Sequence, residues 1–224
     1  DFNQNNKKIG RDMMYFAEDL HNIAQEQYGS HKNHTAINHG LNKQLTFDIL
    51  RLKKQAGALC TNDAKACYNC IVHSIASLAM QSHGVPAGPI VCMFTMIQNL
   101  KHYMCTIYGD SLLNFGGTLW TMLIQGVGQG NGAGPQMWAV MSTAILNMMW
   151  AEGHKCFFCS TVSGAEVSFV GYSFVDDTNL IVTAEEVGGS RDEITQRMQV
   201  SVKAWEGSIR ASGGLSFLKK PTGI

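Results

Sequence analysis

Two adjacent carboxylates, Asp176 and Asp177, interrupt an apolar run in Phe174-Val-Asp-Asp, and a third, Asp63, follows the apolar segment 57–62. Clustered carboxylates raise one another's pKa, so gathering them among apolar strands is costly without a cation. Oxygen ligands of this kind suit Mg2+, which also takes water and phosphate oxygens. Two such ions about 4 Å apart can activate an attacking hydroxyl and stabilise a leaving oxygen, which makes phosphoryl transfer the natural chemistry. The competing reading is structural, because Asp-Asp also favours a β-turn.

The elements around these residues decide whether they can meet. Residues 1–45 are polar, with one helical segment over 13–27. Beyond them the patterning predicts a helix over 45–54, a strand over 57–62 and a helix over 65–83 that Gly84 and Pro86 stop. A further helix is expected over 88–108, where Val91, Phe94, Ile97 and Met104 make one stripe, and a hairpin between Tyr108-Gly-Asp-Ser and Gly116-Gly117. The Gly-rich segment 126–134 opens a helix over 135–152, with Pro135 at a first helical position that needs no amide donor. Strands over 157–161, 166–175 and 179–183 place Asp176 and Asp177 at a hairpin tip. A helix over 191–211 and a strand over 215–218 close the chain. Strand, helix, hairpin, helix, strand is the order of a split βαβ sheet, an α+β fold with helices on one face. That layout would bring Asp63 beside Asp176 and Asp177.

Composition sets limits on these readings. With 224 residues, 45% of them hydrophobic, the chain can bury a core. Charged residues are only 15%, and seventeen basic side chains balance seventeen acidic ones, so any grip on nucleic acid must come from local patches. Candidate patches are Arg51, Lys53 and Lys54, then Lys219 and Lys220, then Lys7, Lys8 and Arg11; each is equally readable as a solvated face. Seven cysteines without a secretory leader argue against a disulfide framework and for an intracellular setting, cytoplasmic or nuclear. Cys67/Cys70 and Cys156/Cys159 have C-x-x-C spacing, but a zinc site would need both pairs to converge across the fold. His31 and His34 are a weaker pair. The stretch 135–151 is too short and too polar for a membrane span. The chain starts at Asp1 and stops just after a motif, so it reads as a fragment of a longer protein.

Gly128-Gln-Gly-Asn-Gly-Ala has the rhythm of a dinucleotide loop, yet no clear strand leads into it and no acidic residue follows at the required distance. A P-loop is excluded because Gly-Lys-Ser/Thr is absent. A different context fits better. Asp63-Ala-Lys-Ala-Cys-Tyr68, then Gln129-Gly-Asn-Gly-Ala-Gly-Pro135, then Phe174-Val-Asp-Asp177, then Gly213-Gly-Leu-Ser-Phe-Leu-Lys-Lys220 form an ordered set. Together they resemble the reverse transcriptase family over residues 45–224. The wording of the Gly-rich loop looks most like retrotransposon-type enzymes of diatoms and other protists.

The resemblance implies a polymerase palm with partial fingers and no thumb over residues 45–224, with residues 1–44 as a polar N-terminal segment or partial fingers. It implies an RNA-directed DNA polymerase using two Mg2+ (or Mn2+) ions, with an RNA template, a DNA primer and a deoxynucleoside triphosphate as partners, other polyprotein domains alongside and no membrane. By position, Asp63 and Asp176 would be principal catalytic metal ligands and Asp177 an assisting one. Ala64, Tyr68, Gln129, Gly130 and Lys220 would contact the nucleotide, with Tyr68 excluding a 2′-hydroxyl, and Phe174 would pack beneath the primer terminus. Lys219 is the neighbouring alternative to Lys220. The sequence departs from many family members at Asn69, Cys70 and Gly134, none of them a metal ligand. An RNA-templated RNA polymerase and a decayed nucleic-acid-binding remnant are the other readings.

Overall fold

The computed structural model describes residues 2–117, 123–160, 162–184, 189–218 and 222–223. Helices α1 (Phe2–Asp19) and α2 (Ala36–Lys53) precede strand β1 (Gly57–Lys65). Helices α3 (Cys67–Cys70), α4 (His73–Ser82) and α5 (Ala87–Gln98) lead to the hairpin β2 (His102–Thr106) and β3 (Gly109–Phe115). Helix α6 (Gly134–Ala151) is followed by a second hairpin, β4 (Cys156–Cys159) and β5 (Glu166–Phe169). Then come β6 (Gly171–Phe174), β7 (Asp177–Thr183), α7 (Arg191–Ala211), β8 (Leu215–Leu218) and β9 (Thr222–Gly223).

The central sheet runs β6-β7-β1-β8, with β9 also pairing β1, and every pairing is antiparallel. In chain order that is strand, helices, hairpin, helix, strand, so β1 lies between the hairpin and the last strand as a split βαβ requires. Side chains alternate between faces along a strand. Cys60 and Ala64 on β1, with Leu180 and Val182 on β7, enter a large core with α6 and α7 residues such as Met137, Leu146 and Trp205. Leu59 and Ile181 point the other way, into a second core with Tyr28, Leu50, Phe158 and Tyr172. The expected placement of helices on one face is therefore corrected. α2 and the β4–β5 hairpin cover part of the opposite face, because Leu59, Tyr172 and Ile181 are apolar on that side too.

Several boundaries move for identifiable reasons. α2 begins nine residues earlier than expected (45 − 36), where Thr35 forms a capping box with Asn38. The expected helix 65–83 is broken into α3 and α4. Ile71 O accepts from Gly126 N and Val72 N donates to Ser212 O, so tertiary partners claim the backbone there. The helix expected to 108 ends at Gln98, and 102–106 forms β2 instead. Its stripe does not continue into the core, since Met104 is 64% exposed and Ile107 is 92% exposed. α1 covers Phe2–Asp19 rather than 13–27, and Met13, Met14 and Ala17 enter the large core. By contrast α7 begins at Arg191 as read, with the Ser190 hydroxyl accepting from Glu193 N. No helix among the described residues is long and apolar enough to cross a membrane.

Candidate active site

Strand β1 pairs with β7 so that Asp63 lies directly opposite Asp177. Directly opposed residues share a face. That face is the one carrying Leu59 and Ile181, away from the large core. β6 and β7 are joined by a two-residue turn, Val175-Asp176, closed by the Phe174–Asp177 pair. Asp176 therefore occupies the turn and Asp177 starts the strand, a finer division than two carboxylates at a tip. Ala64 N donates to Asp176 O at 3.2 Å, tying the end of β1 to the turn. Val175 has φ 56°, a left-handed conformation that a β-branched residue adopts only under constraint. Phe174 lies on the Asp63 face, its ring 6.1 Å from that of His39.

The three carboxylates interact. Burial raises the pKa of Asp176 above the ordinary carboxylate range, and the charges of Asp177 and Asp63 raise it further, while its own backbone N–H and that of Asp177 partly oppose this. Among the described residues, no group of three His, Cys, Asp or Glu side chains is arranged to hold a metal ion by itself. The donor chemistry nonetheless fits a hard divalent cation, because Mg2+ is commonly held by one or two carboxylates and completed by water and substrate phosphates. Asp63, Asp176 and Asp177 are the residues that could contribute to such a site.

Tyr68 and the Gly-rich loop are joined. Val127 N donates to Tyr68 O at 2.8 Å, and the Tyr68 ring lies under Gly134, whose added Cβ would sit 3.5 Å from it. Burial, then Cys67 and Asp176, push the Tyr68 hydroxyl up to about 12, so it stays protonated. Gly126 and Gly130 have φ values of +80° and +86°, a conformation glycine tolerates best. Gln129 and Gly130 are exposed. Asn3 Oδ1 accepts from Gly132 N, so α1 also braces this loop. Ala64 differs from the other expected nucleotide contacts: its methyl is buried in the core and its N–H is committed to Asp176. Lys219 and Lys220 lie outside the described residues.

Other sequence candidates do not join the site. Lys53 Nζ donates to Cys159 O, at the Gly57 end of β1. Six residue steps along the strand separate Gly57 from Asp63, a span of about 20 Å. Cys67 and Cys156 are buried in different cores, and all seven cysteines are free. Burial pushes each of these two thiols up to about 12, which disfavours the thiolate that zinc needs. The rings of His31 and His34 lie 4.2 Å apart, tilted at 59°, with His31 facing Glu18. Sequence reasoning missed Asn179, whose Oδ1 accepts from Thr61 and whose Nδ2 meets His39, bracing the Asp63 face. It also missed Gln27 and Trp138, which hold the Val175 turn. Gln27 ends the polar segment expected to be helical over 13–27 and Trp138 lies in an apolar helix, so neither pattern signals the role.

No family model matches the sequence, and no curated protein matches it significantly. Solved structures do. The chain is similar to telomerase from Candida tropicalis in complex with the TWJ fragment of telomeric RNA, with TM-score 0.59 and 12% identity over 96% of this chain and 33% of that one. Telomerase from Candida albicans with the TWJ fragment gives TM-score 0.55 and 8% identity over 97% and 35%. Apo telomerase from Candida tropicalis gives 0.56 and 10% over 98% and 36%. The chain thus spans roughly a third of the length of each of these telomerases. At this identity the likeness speaks for the fold alone, which is reverse-transcriptase-like.

Proposed function

We propose that the chain is the palm, with fingers elements, of an RNA-directed DNA polymerase. In that reaction a primer 3′-hydroxyl attacks the α-phosphorus of a deoxynucleoside triphosphate, a new P–O bond forms and pyrophosphate leaves. The observation that carries the reading is Asp63 in register opposite Asp177, with Asp176 electrostatically coupled to both, in a reverse-transcriptase-like fold.

Asp63 and Asp176 hold divalent cations on this reading, and Asp177 assists. Two bound Mg2+ or Mn2+ ions supply charge neutralisation and lower the pKa of the attacking hydroxyl. Tyr68 lies under the incoming sugar, where its ring blocks a 2′-hydroxyl. Gln129 and Gly130 present a side chain and an open backbone to the base pair, since glycine lets main chain approach closely. Phe174 supports the primer terminus from the same sheet face as Asp63. Lys220 compensates triphosphate charge. Residues 1–44 add a fingers segment, and the Gly-rich loop's wording favours an origin in a retroelement polyprotein.

Primer extension on an RNA template, with and without Mg2+ or Mn2+, tests the reading. Metal-dependent extension that Asp176→Asn abolishes supports it. Equal extension by that variant would sink it.

A further inference from the structure

We infer that Gln27 is a positioning residue that fixes the Val175-Asp176 turn, and so sets where the Asp176 carboxylate stands. The inference rests on the polymerase reading, and adds to it a residue outside all four motifs. Gln27 is 0% exposed and lies far from the turn in sequence. Its Oε1 accepts from Val175 N at 3.1 Å and from Gly29 N at 2.8 Å. Its Nε2 donates to Ser142 Oγ at 2.8 Å, to Ser173 Oγ at 3.2 Å and, more weakly, to Val175 O at 3.4 Å.

One side chain therefore touches both main-chain polar groups of the left-handed residue just before Asp176. Trp138 Nε1 completes the clamp by donating to Val175 O at 2.7 Å. The backbone around Gln27 is also fastened to β6: Tyr28 N donates to Ser173 O and Ser173 N to Glu26 O. Gly29 lets the segment press on the turn, since an added Cβ would lie 2.4 Å from Val175 N. A left-handed β-branched residue persists only where its surroundings over-determine it. Gln27 and Trp138 are those surroundings, and a metal ligand held by a locked support keeps its geometry better than one on a free turn.

Gln27→Met keeps the shape and removes every polar contact, whereas Gln27→Glu keeps the acceptor for Val175 and Gly29. Trp138→Phe is the second variant, should Gln27→Met fail to fold. Three readouts are taken on the full chain: hydrogen exchange at the Val175 amide, Mn2+ affinity by electron paramagnetic resonance, and primer-extension kinetics. Gln27→Met is expected to speed Val175 exchange at least about tenfold. It should also weaken Mn2+ binding about tenfold and lower kcat roughly a hundredfold, with KM for the nucleotide little changed. Gln27→Glu should recover much of the exchange protection. Unchanged exchange and Mn2+ affinity in both Gln27→Met and Trp138→Phe would overturn the inference. Should the unaltered chain fail to extend a primer, the polymerase reading falls, and exchange at Val175 still decides the clamp.

Discussion

Asp63 and Asp177 face one another across β1 and β7, and Asp176, one residue before Asp177, feels the charge of both. Without a cation this arrangement opposes folding, and the direction of its pH dependence follows. Asp176 has a folded-state pKa above its unfolded value, so the folded chain binds more protons between the two. Its stabilising contribution is full below the ordinary carboxylate range and is lost as pH rises through the raised pKa. Metal-free melting temperatures should therefore fall over that window in the unaltered chain. In Asp176→Asn this component should vanish. On the proposed reading, added Mg2+ or Mn2+ should stabilise the unaltered chain most at the high-pH end, where the folded-state carboxylates are ionised and can take the ion.

Tyr68 predicts sugar selectivity. Its ring is held between Gly134 and the core, so on the proposed reading a smaller side chain should open space beneath the incoming sugar without disturbing the carboxylates. Tyr68→Val should raise ribonucleotide incorporation relative to deoxynucleotide by about tenfold or more, a change readable as a ratio of kcat/KM values. Efficient ribonucleotide use by the unaltered chain would instead favour RNA-templated RNA synthesis.

Two glycines of one loop should behave differently. A Cβ on Gly126 would lie 2.5 Å from Asn69 main-chain atoms, whereas one on Gly130 meets nothing within 4 Å. Both have positive φ, which costs alanine about 1–2 kcal/mol. Gly126→Ala should lose clearly more stability than that in denaturant titration. Gly130→Ala should lose only the backbone cost, yet on the proposed reading slow extension, because its methyl would obstruct the approaching base pair.

The core beneath the sheet predicts a plain stability effect. Trp205 on α7 is 1% exposed within the large core. Trp205→Ala should cost about 3–5 kcal/mol, measured by chemical denaturation. A markedly smaller loss would mean that α7 is not seated on the sheet as described.

The sequence alone determined the parts whose signals are local. Asp176-Asp177 between apolar runs marked a hairpin tip, Pro135 opened α6, and the segment 191–211 was legible as α7. The order of strands and helices was enough to imply that Asp63 returns to the hairpin. Tertiary structure decided what depends on partners distant in the chain. It put Asp63 opposite Asp177 rather than Asp176, because register is fixed by packing on both faces of β1 and β7. It broke the helix at Ile71 and Val72, whose backbone groups find Gly126 and Ser212 instead. It placed a second core on the Asp63 face, where a single-sided sheet was expected. And it brought Gln27, from the end of a polar segment that carries no motif, against the turn that carries Asp176, since a buried amide's partners lie in space and leave no pattern along the chain.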